Sequence, residues 1–248
     1  MIDLKSLFPS VTAFIAFILI LCCIFAGTQK NLLNNADLFT LYTPQAGYES
    51  AACDFYSIHV MSYCQGIVGV VEPGASAITR NVTGCSNRNI LFSFDPTQAW
   101  PDQVSHGPTL SWPRVLSDDF TAFRITTQSM GVFYCLGVSA VGVALVVRAA
   151  SFFTPSPQHG LFESGFLMLG WFSITISSII ASIIAFEFVG LINAHGDGSN
   201  VSAKYGERFL GMTWASAALL LLGSIVSFVN LSRGTESAAP LHKDEEEG

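Results

Sequence analysis

Long apolar runs alternate with polar segments along this chain, and the runs set its architecture. The clearest extends from Phe209 to Val229. Its 21 residues, rising about 1.5 Å each, cover about 30 Å, the thickness of a bilayer's hydrocarbon core. Phe8–Ala26, Thr126–Val147 and Gly165–Ile192 repeat the pattern with few charges. Backbone in lipid must satisfy its own hydrogen bonds, so runs of this kind predict helices. The expected fold is an all-α membrane protein, a four-transmembrane-helix bundle forming one domain over 1–248. Its spans are 8–26, 126–147, 165–192 and 209–229. A first external loop occupies 27–125, a second 193–208, a Pro-Ser-Pro turn joins the middle spans, and an acidic tail covers 230–248.

A different periodicity occupies the first loop. Phe55–Val60, Ile67–Val71, Ala77–Thr83 and Ile90–Phe94 mix aromatic, β-branched and polar residues, with Pro73-Gly74 and Ser86-Asn87 between them. This predicts a small antiparallel sheet on the membrane surface, too small for a large core of its own. Spacing does not choose among the three pairings of Cys53, Cys64 and Cys85. A Cys64–Cys85 bridge, the pairing favoured here, would close about 20 residues and be worth on the order of 3 kcal/mol. Cys53 would then be free or intermolecular. Cys22, Cys23 and Cys135 fall in spans and read as packing residues.

Charge orients the chain weakly. Lys5, Arg148, Arg233 and Lys243 fall on one side, against Lys204 and Arg208 in the short loop opposite. The long loop adds the sequon Asn81-Val82-Thr83 to its cysteines, which suits an oxidising, glycosylating compartment. Both termini are therefore expected in the cytoplasm, with Asn81 glycosylated. A cleaved signal peptide over 1–26 is the competing reading, opposed by the length of the apolar run and by Asp3.

Composition narrows the function classes. Half the residues are hydrophobic, 12% are charged, and mean hydropathy is +0.49, so lipid is the main solvent. The net charge of −7 and the lack of a basic cluster argue against nucleic acid and against polybasic lipid recruitment. His59, His106 and His195 fall in no pattern with a nucleophile or metal ligand and are expected to be solvated. No phosphate loop, zinc motif or small-molecule site emerges, so neither catalysis nor a cofactor is expected. Glu187 is the acid inside an apolar run, placed near the outer interface within reach of Lys204 and Arg208. Small-residue stripes predict close helix packing: Gly131, Cys135, Ser139 and Gly142; Gly170, Ser173, Ser177 and Ala181; and Thr213, Ala217, Leu220, Ser224 and Ser227.

Further motifs stand in the first loop and at the last span. Asp54-Phe55-Tyr56-Ser57 leads into Ser62-Tyr63-Cys64-Gln65-Gly66, followed by Val82-Thr83-Gly84-Cys85-Ser86 and Phe92-Ser93-Phe94-Asp95-Pro96; Arg208 to Trp214 opens the last span. This set resembles the signature of the fungal Sur/PalI family of claudin-like, four-span plasma-membrane proteins, and the topology is similar over nearly the whole chain. The resemblance implies that Cys64 and Cys85 form the family's loop disulfide. It also implies scaffolding, either in cortical membrane patches called eisosomes or beside an ambient-pH receptor. Partners would be membrane lipids, other plasma-membrane or cortical proteins, or a second copy of the chain. His59-Val60-Met61-Ser62-Tyr63-Cys64 departs from the glycine pattern of mating-associated relatives. The 19 residues after Val229 are short for the pH branch, so the cortical-patch branch is preferred.

Overall fold

The computed structural model describes residues 4–30, 32–43, 53–69, 79–89, 92, 114–151, 153–154, 157–195 and 201–237. Among them, four helices are long and apolar enough to cross a membrane. They are α1 (Leu4–Phe25), α2 (Arg114–Ser151), α3 (Pro157–His195) and α4 (Glu207–Ser237). Three run two turns or more past the apolar segments that announce them. Helix α2 starts at Arg114 rather than near Thr126, α3 starts at Pro157 rather than Gly165, and α4 continues beyond Val229. Hydropathy registers where a helix is greasy, whereas polar turns such as Ser117-Asp118-Asp119 extend it unseen. Pro157 suits a first helical position, where its fixed φ fits and its missing N–H is not needed.

The helices form a ring, α1–α2–α3–α4–α1, with the α2–α3 seam the most closely packed and the α1–α2 seam the least. Three glycines allow close crossings. A Cβ on Gly137 would lie 2.4 Å from Ile174, one on Gly170 2.6 Å from Val141, and one on Gly223 2.7 Å from the Thr12 hydroxyl. The α3 stripe of Gly170, Ser173, Ser177 and Ala181 is buried. The stripe expected on α2 needs correction. Gly131 is buried, but Cys135 is half-buried, Ser139 exposed, and Gly142 half-buried, where an added Cβ would lie an ordinary 3.4 Å from Phe17. The packed face is Met130, Tyr134, Gly137, Val141 and Ala144, which is rotated by about one residue, roughly 100° of helix. On α4, Thr213, Ala217, Leu220 and Ser224 are buried and Ser227 is half-buried.

Hydroxyl groups tie the bundle's interior together. Tyr134 Oη lies 2.6 Å from Thr213 Oγ1, which lies 2.7 Å from Ser178 Oγ, so α2, α4 and α3 share one hydrogen-bonded chain. Ser177 donates to the Met130 carbonyl at 2.9 Å. Apolar surroundings leave these groups no water, so mutual bonding offsets their desolvation. Large apolar side chains face outward instead, including Phe172, Ile179, Ile183 and Phe186 on α3 and Leu222, Ile225 and Phe228 on α4. That inversion is what a lipid solvent requires.

A five-stranded antiparallel sheet sits at the end of the bundle where α1 and α3 finish and α2 and α4 begin. Its strands are β1 (Phe39–Tyr42), β2 (Phe55–Ile58), β3 (Tyr63–Gly69), β4 (Thr79–Cys85) and β5 (Ser202–Tyr205), in the order β4-β3-β2-β1-β5. The sequence reading confined the sheet to the first loop and began it at Phe55. The sheet instead takes its edge strand β5 from the second loop and pairs it with β1. A strand expected over Ile90–Phe94 lies largely outside the described residues, and Phe92 is not in a strand.

Candidate functional site

The most elaborate chemistry in the molecule is where the sheet meets the bundle. Gly206 follows β5 and leads into α4. Its N–H donates to the Leu38 carbonyl at 2.9 Å, and a Cβ there would fall 1.5 Å from the Asp37 carbonyl oxygen. The Asn193 side chain, near the end of α3, both donates to the Ala203 carbonyl (3.0 Å) and accepts from the Ala203 N–H (2.8 Å), fixing β5 to α3. Phe39 of β1 packs on Phe188 of α3 with ring centroids 4.7 Å apart. These contacts fasten both loops to the same helix ends.

A charged cluster underlies β1. Asp37 is buried and pairs with Arg80 of β4 at 3.5 Å; Arg80 also donates to Thr40 Oγ1 at 2.8 Å, and the Thr40 hydroxyl bonds to Asp37. His59 lies alongside and is 1% exposed, contrary to the expectation that it is solvated. Gly27 provides the space, since a Cβ at that residue would lie 2.1 Å from the imidazole ring. Gly27 also holds φ at +68°, a left-handed conformation suited to glycine just after a helix. His59 Nδ1 lies 3.2 Å from the Ala36 carbonyl, and Nε2 has no hydrogen-bond partner among the described residues.

Burial pushes the His59 pKa below its ordinary range, and Arg80 adds to this, while Asp37 and the Ala36 hydrogen bond oppose it. The native state therefore resists a proton that the unfolded chain accepts. Stability should be complete above about pH 6.5 and fall as the pH drops toward the lowered value, with a slope of up to about 1.4 kcal/mol per pH unit. Thermal melts of detergent-purified protein between pH 7.5 and 5 should show this loss, and His59→Gln should flatten it. Equal acid slopes in the two proteins would refute the assignment.

Cys64 and Cys85 stand opposite each other in the β3–β4 register and form a disulfide. Cys53 is free and buried, as is Cys23, while Cys22 and Cys135 are free and half-buried. Among the described residues, no group of three His, Cys, Asp or Glu side chains could hold a metal ion.

A model of the SUR7/PalI family matches residues 6–226. The chain belongs to the SUR7/PalI family. No curated protein matches it.

The geometry gives physical roles to several residues that carried the family resemblance. Asp54 accepts the Val68 N–H at 2.9 Å and donates its own N–H to the Gly66 carbonyl at 2.8 Å, closing the β2–β3 pair. Phe55 and Tyr56 are buried. Gly66 lies at a bulge in the β3–β4 pairing, where a Cβ would fall 2.2 Å from the Asn81 carbonyl oxygen and 2.7 Å from the Phe55 ring. Tyr63 packs on Phe92 at 6.3 Å. Trp214 of α4 is partly exposed and donates its indole N–H to Ser182 of α3 at 3.0 Å, and Arg208 is exposed in the first turn of α4. Asn81 is exposed on β4. Phe94, Asp95, Pro96 and His106 lie outside the described residues.

Other residues of this SUR7/PalI member were missed in the sequence. Tyr134 and Ser178 gave a signal, since a buried hydroxyl within a span needs a partner. Glu163 also qualifies: it is buried on α3 and pairs with Arg148 of α2 at 3.5 Å, across the turn at the end of the bundle opposite the sheet. Glu187 is exposed and makes no ion pair with Lys204, Arg208 or any other described residue. Gly206 and Asp37 had no local signal, because their importance lies in a contact between distant loops.

Proposed function

We propose that this protein is a non-enzymatic organiser of a fungal plasma-membrane domain of the cortical, eisosome type, supporting endocytosis, cell-wall integrity and stress tolerance. The observation that carries this reading is the single five-stranded platform built from both loops and fastened to three helix ends, on a bundle that presents apolar side chains to lipid. Such a body is suited to lateral contacts with lipids, cortical proteins or other copies of itself. In this reading both termini are cytoplasmic and the sheet is extracellular. The second reading, an accessory factor for ambient-pH sensing, draws on the family match over residues 6–226, since that family takes in PalI proteins as well.

A fluorescent fusion in living fungal cells separates them. Stable cortical patches are expected, and Gly137→Leu, at the α2–α3 crossing, should disperse them or prevent folding, whereas Glu187→Gln should be mild. A uniform membrane signal, with alkaline adaptation lost on deletion, would favour the second reading. Loss of function in Glu187→Gln at unchanged abundance and location would replace both with an ion- or proton-linked role.

Topology has its own test. Glycosidase treatment should increase gel mobility through removal of a glycan at Asn81, and Asn81→Gln should abolish the shift. Asn230 is exposed near the other end of α4 and should remain bare. A shift that depended on Asn230 would mean that the chain is inserted the other way round.

A further inference from the structure

Where α1 and α2 diverge below the sheet, a groove of about 780 Å³ opens. This is within the size range of small-molecule sites, about 300–1,000 Å³. Leu21, Ile24 and Phe25 of α1 form one wall, Cys135 and Val138 of α2 form the other, and Met61, from the β2–β3 turn, lies above them. The walls belong to two membrane-spanning helices at the sheet end, so the groove faces the acyl region of one leaflet. At its rim are Arg88 and Asn89.

Arg88 is on a fastened segment. Just before it, the Ser86 N–H donates to the Tyr63 carbonyl at 2.8 Å and the Ser86 hydroxyl accepts the Tyr63 N–H at 3.0 Å; just after it, the Asn89 N–H donates to the Met61 carbonyl at 2.9 Å. The Cys64–Cys85 bridge holds the same segment to β3. Arg88 is exposed and forms no ion pair among the described residues. A guanidinium carried on a fastened backbone segment beside an apolar trough, at the level where span gives way to sheet, matches a phosphate joined to a hydrocarbon chain. Arginine's planar fork engages phosphate oxygens in paired hydrogen bonds, and the trough takes the chain that the phosphate carries.

We propose that this groove is a binding site for a phosphate-bearing membrane lipid, with one acyl chain between α1 and α2 and its phosphate against Arg88. The proposal goes beyond the scaffold reading and does not rest on it, because any four-span role is compatible with a resident lipid.

The test uses the full chain in phosphatidylcholine nanodiscs containing a trace of phosphatidylcholine with a photoreactive diazirine in its acyl chain. Cross-links should concentrate on peptides holding residues 21–25 and 135–138, above the level on the lipid-facing side of α3. Arg88→Glu should lower groove labelling about tenfold, as loss of a charge-assisted hydrogen bond predicts. Val138→Trp, which fills the trough and leaves Arg88 in place, should lower it as well and keeps the test open if Arg88→Glu fails to fold. An intact Cys64–Cys85 bridge, read by non-reducing peptide mapping, certifies folding. Labelling spread evenly over the four helices, or unchanged in both variants, would overturn the proposal. So would a diazirine sterol without phosphate that labelled the groove equally well with and without Arg88.

Discussion

Replacing Gly206 with alanine is expected to destabilise the protein more than any alanine substitution on its lipid-facing surface. The new Cβ would fall 1.5 Å from the Asp37 carbonyl oxygen, and that oxygen belongs to backbone, so no side chain can swing aside to relieve the clash. Either the Asp37–Leu38 segment or the β5–α4 junction must shift. Both are anchored: Gly206 N–H bonds to Leu38, and the Gly206 carbonyl accepts the Leu210 N–H in the first turn of α4. Overpacking of this kind costs about 3 kcal/mol, at the upper end of its range. At about 2–4 °C per kcal/mol for a chain of this size, the melting temperature should fall by about 6–12 °C. Measured in detergent by tryptophan fluorescence, a shift under about 2 °C would show that the loop yields freely and that the sheet is not fastened at Gly206. The neighbouring Tyr205→Ala, at a partly exposed position, serves as the mild control.

Cys85→Ser should rank second. Breaking the Cys64–Cys85 bridge frees a loop of about 20 residues in the unfolded state and removes on the order of 3 kcal/mol. The bridge also holds β3 against β4, and β4 supplies Arg80 to the buried Asp37. The variant should therefore be retained in the endoplasmic reticulum at a high fraction. Reductant gives the matching control: dithiothreitol should lower the melting temperature of the native protein and leave Cys85→Ser unchanged. Finding both thiols free in mature native protein would end this account.

How much of this was legible in the sequence depended on whether the controlling interaction was local. Phe209–Val229 reads as a span because lipid imposes one rule on every residue within it. Arg114 reads as loop because a helix needs no apolar residue once it leaves the membrane. Ser202-Ala203-Lys204-Tyr205 has too little pattern to announce a strand, and its pairing partner Phe39–Tyr42 is equally short. The α2 stripe was misphased for a related reason: all faces of a lipid helix are apolar, so small residues alone do not point to the packed one. Tyr134 gives the phase, since its hydroxyl must turn inward to reach Thr213. His59 looked solvated because its cover, Gly27, is remote in sequence and shields it only after the β2–β3 turn folds back over α1. Phe55, Tyr56, Cys64, Gly66 and Cys85 were legible as a set through the family resemblance, and all five lie on the adjoining strands β2, β3 and β4.

The pairing of β1 with β5 has a consequence for biosynthesis. Thr40 faces Lys204 across that ladder, so the ribosome must add 164 residues after one partner before the other exists. At about 5–20 residues per second, this interval is about 10–30 s. For its duration β1 presents an unmatched row of backbone donors and acceptors on one side, a template for wrong pairing. The nascent chain therefore depends on whatever shields that edge until the last helix has been inserted, and a translational pause between α3 and β5 would prolong the exposure.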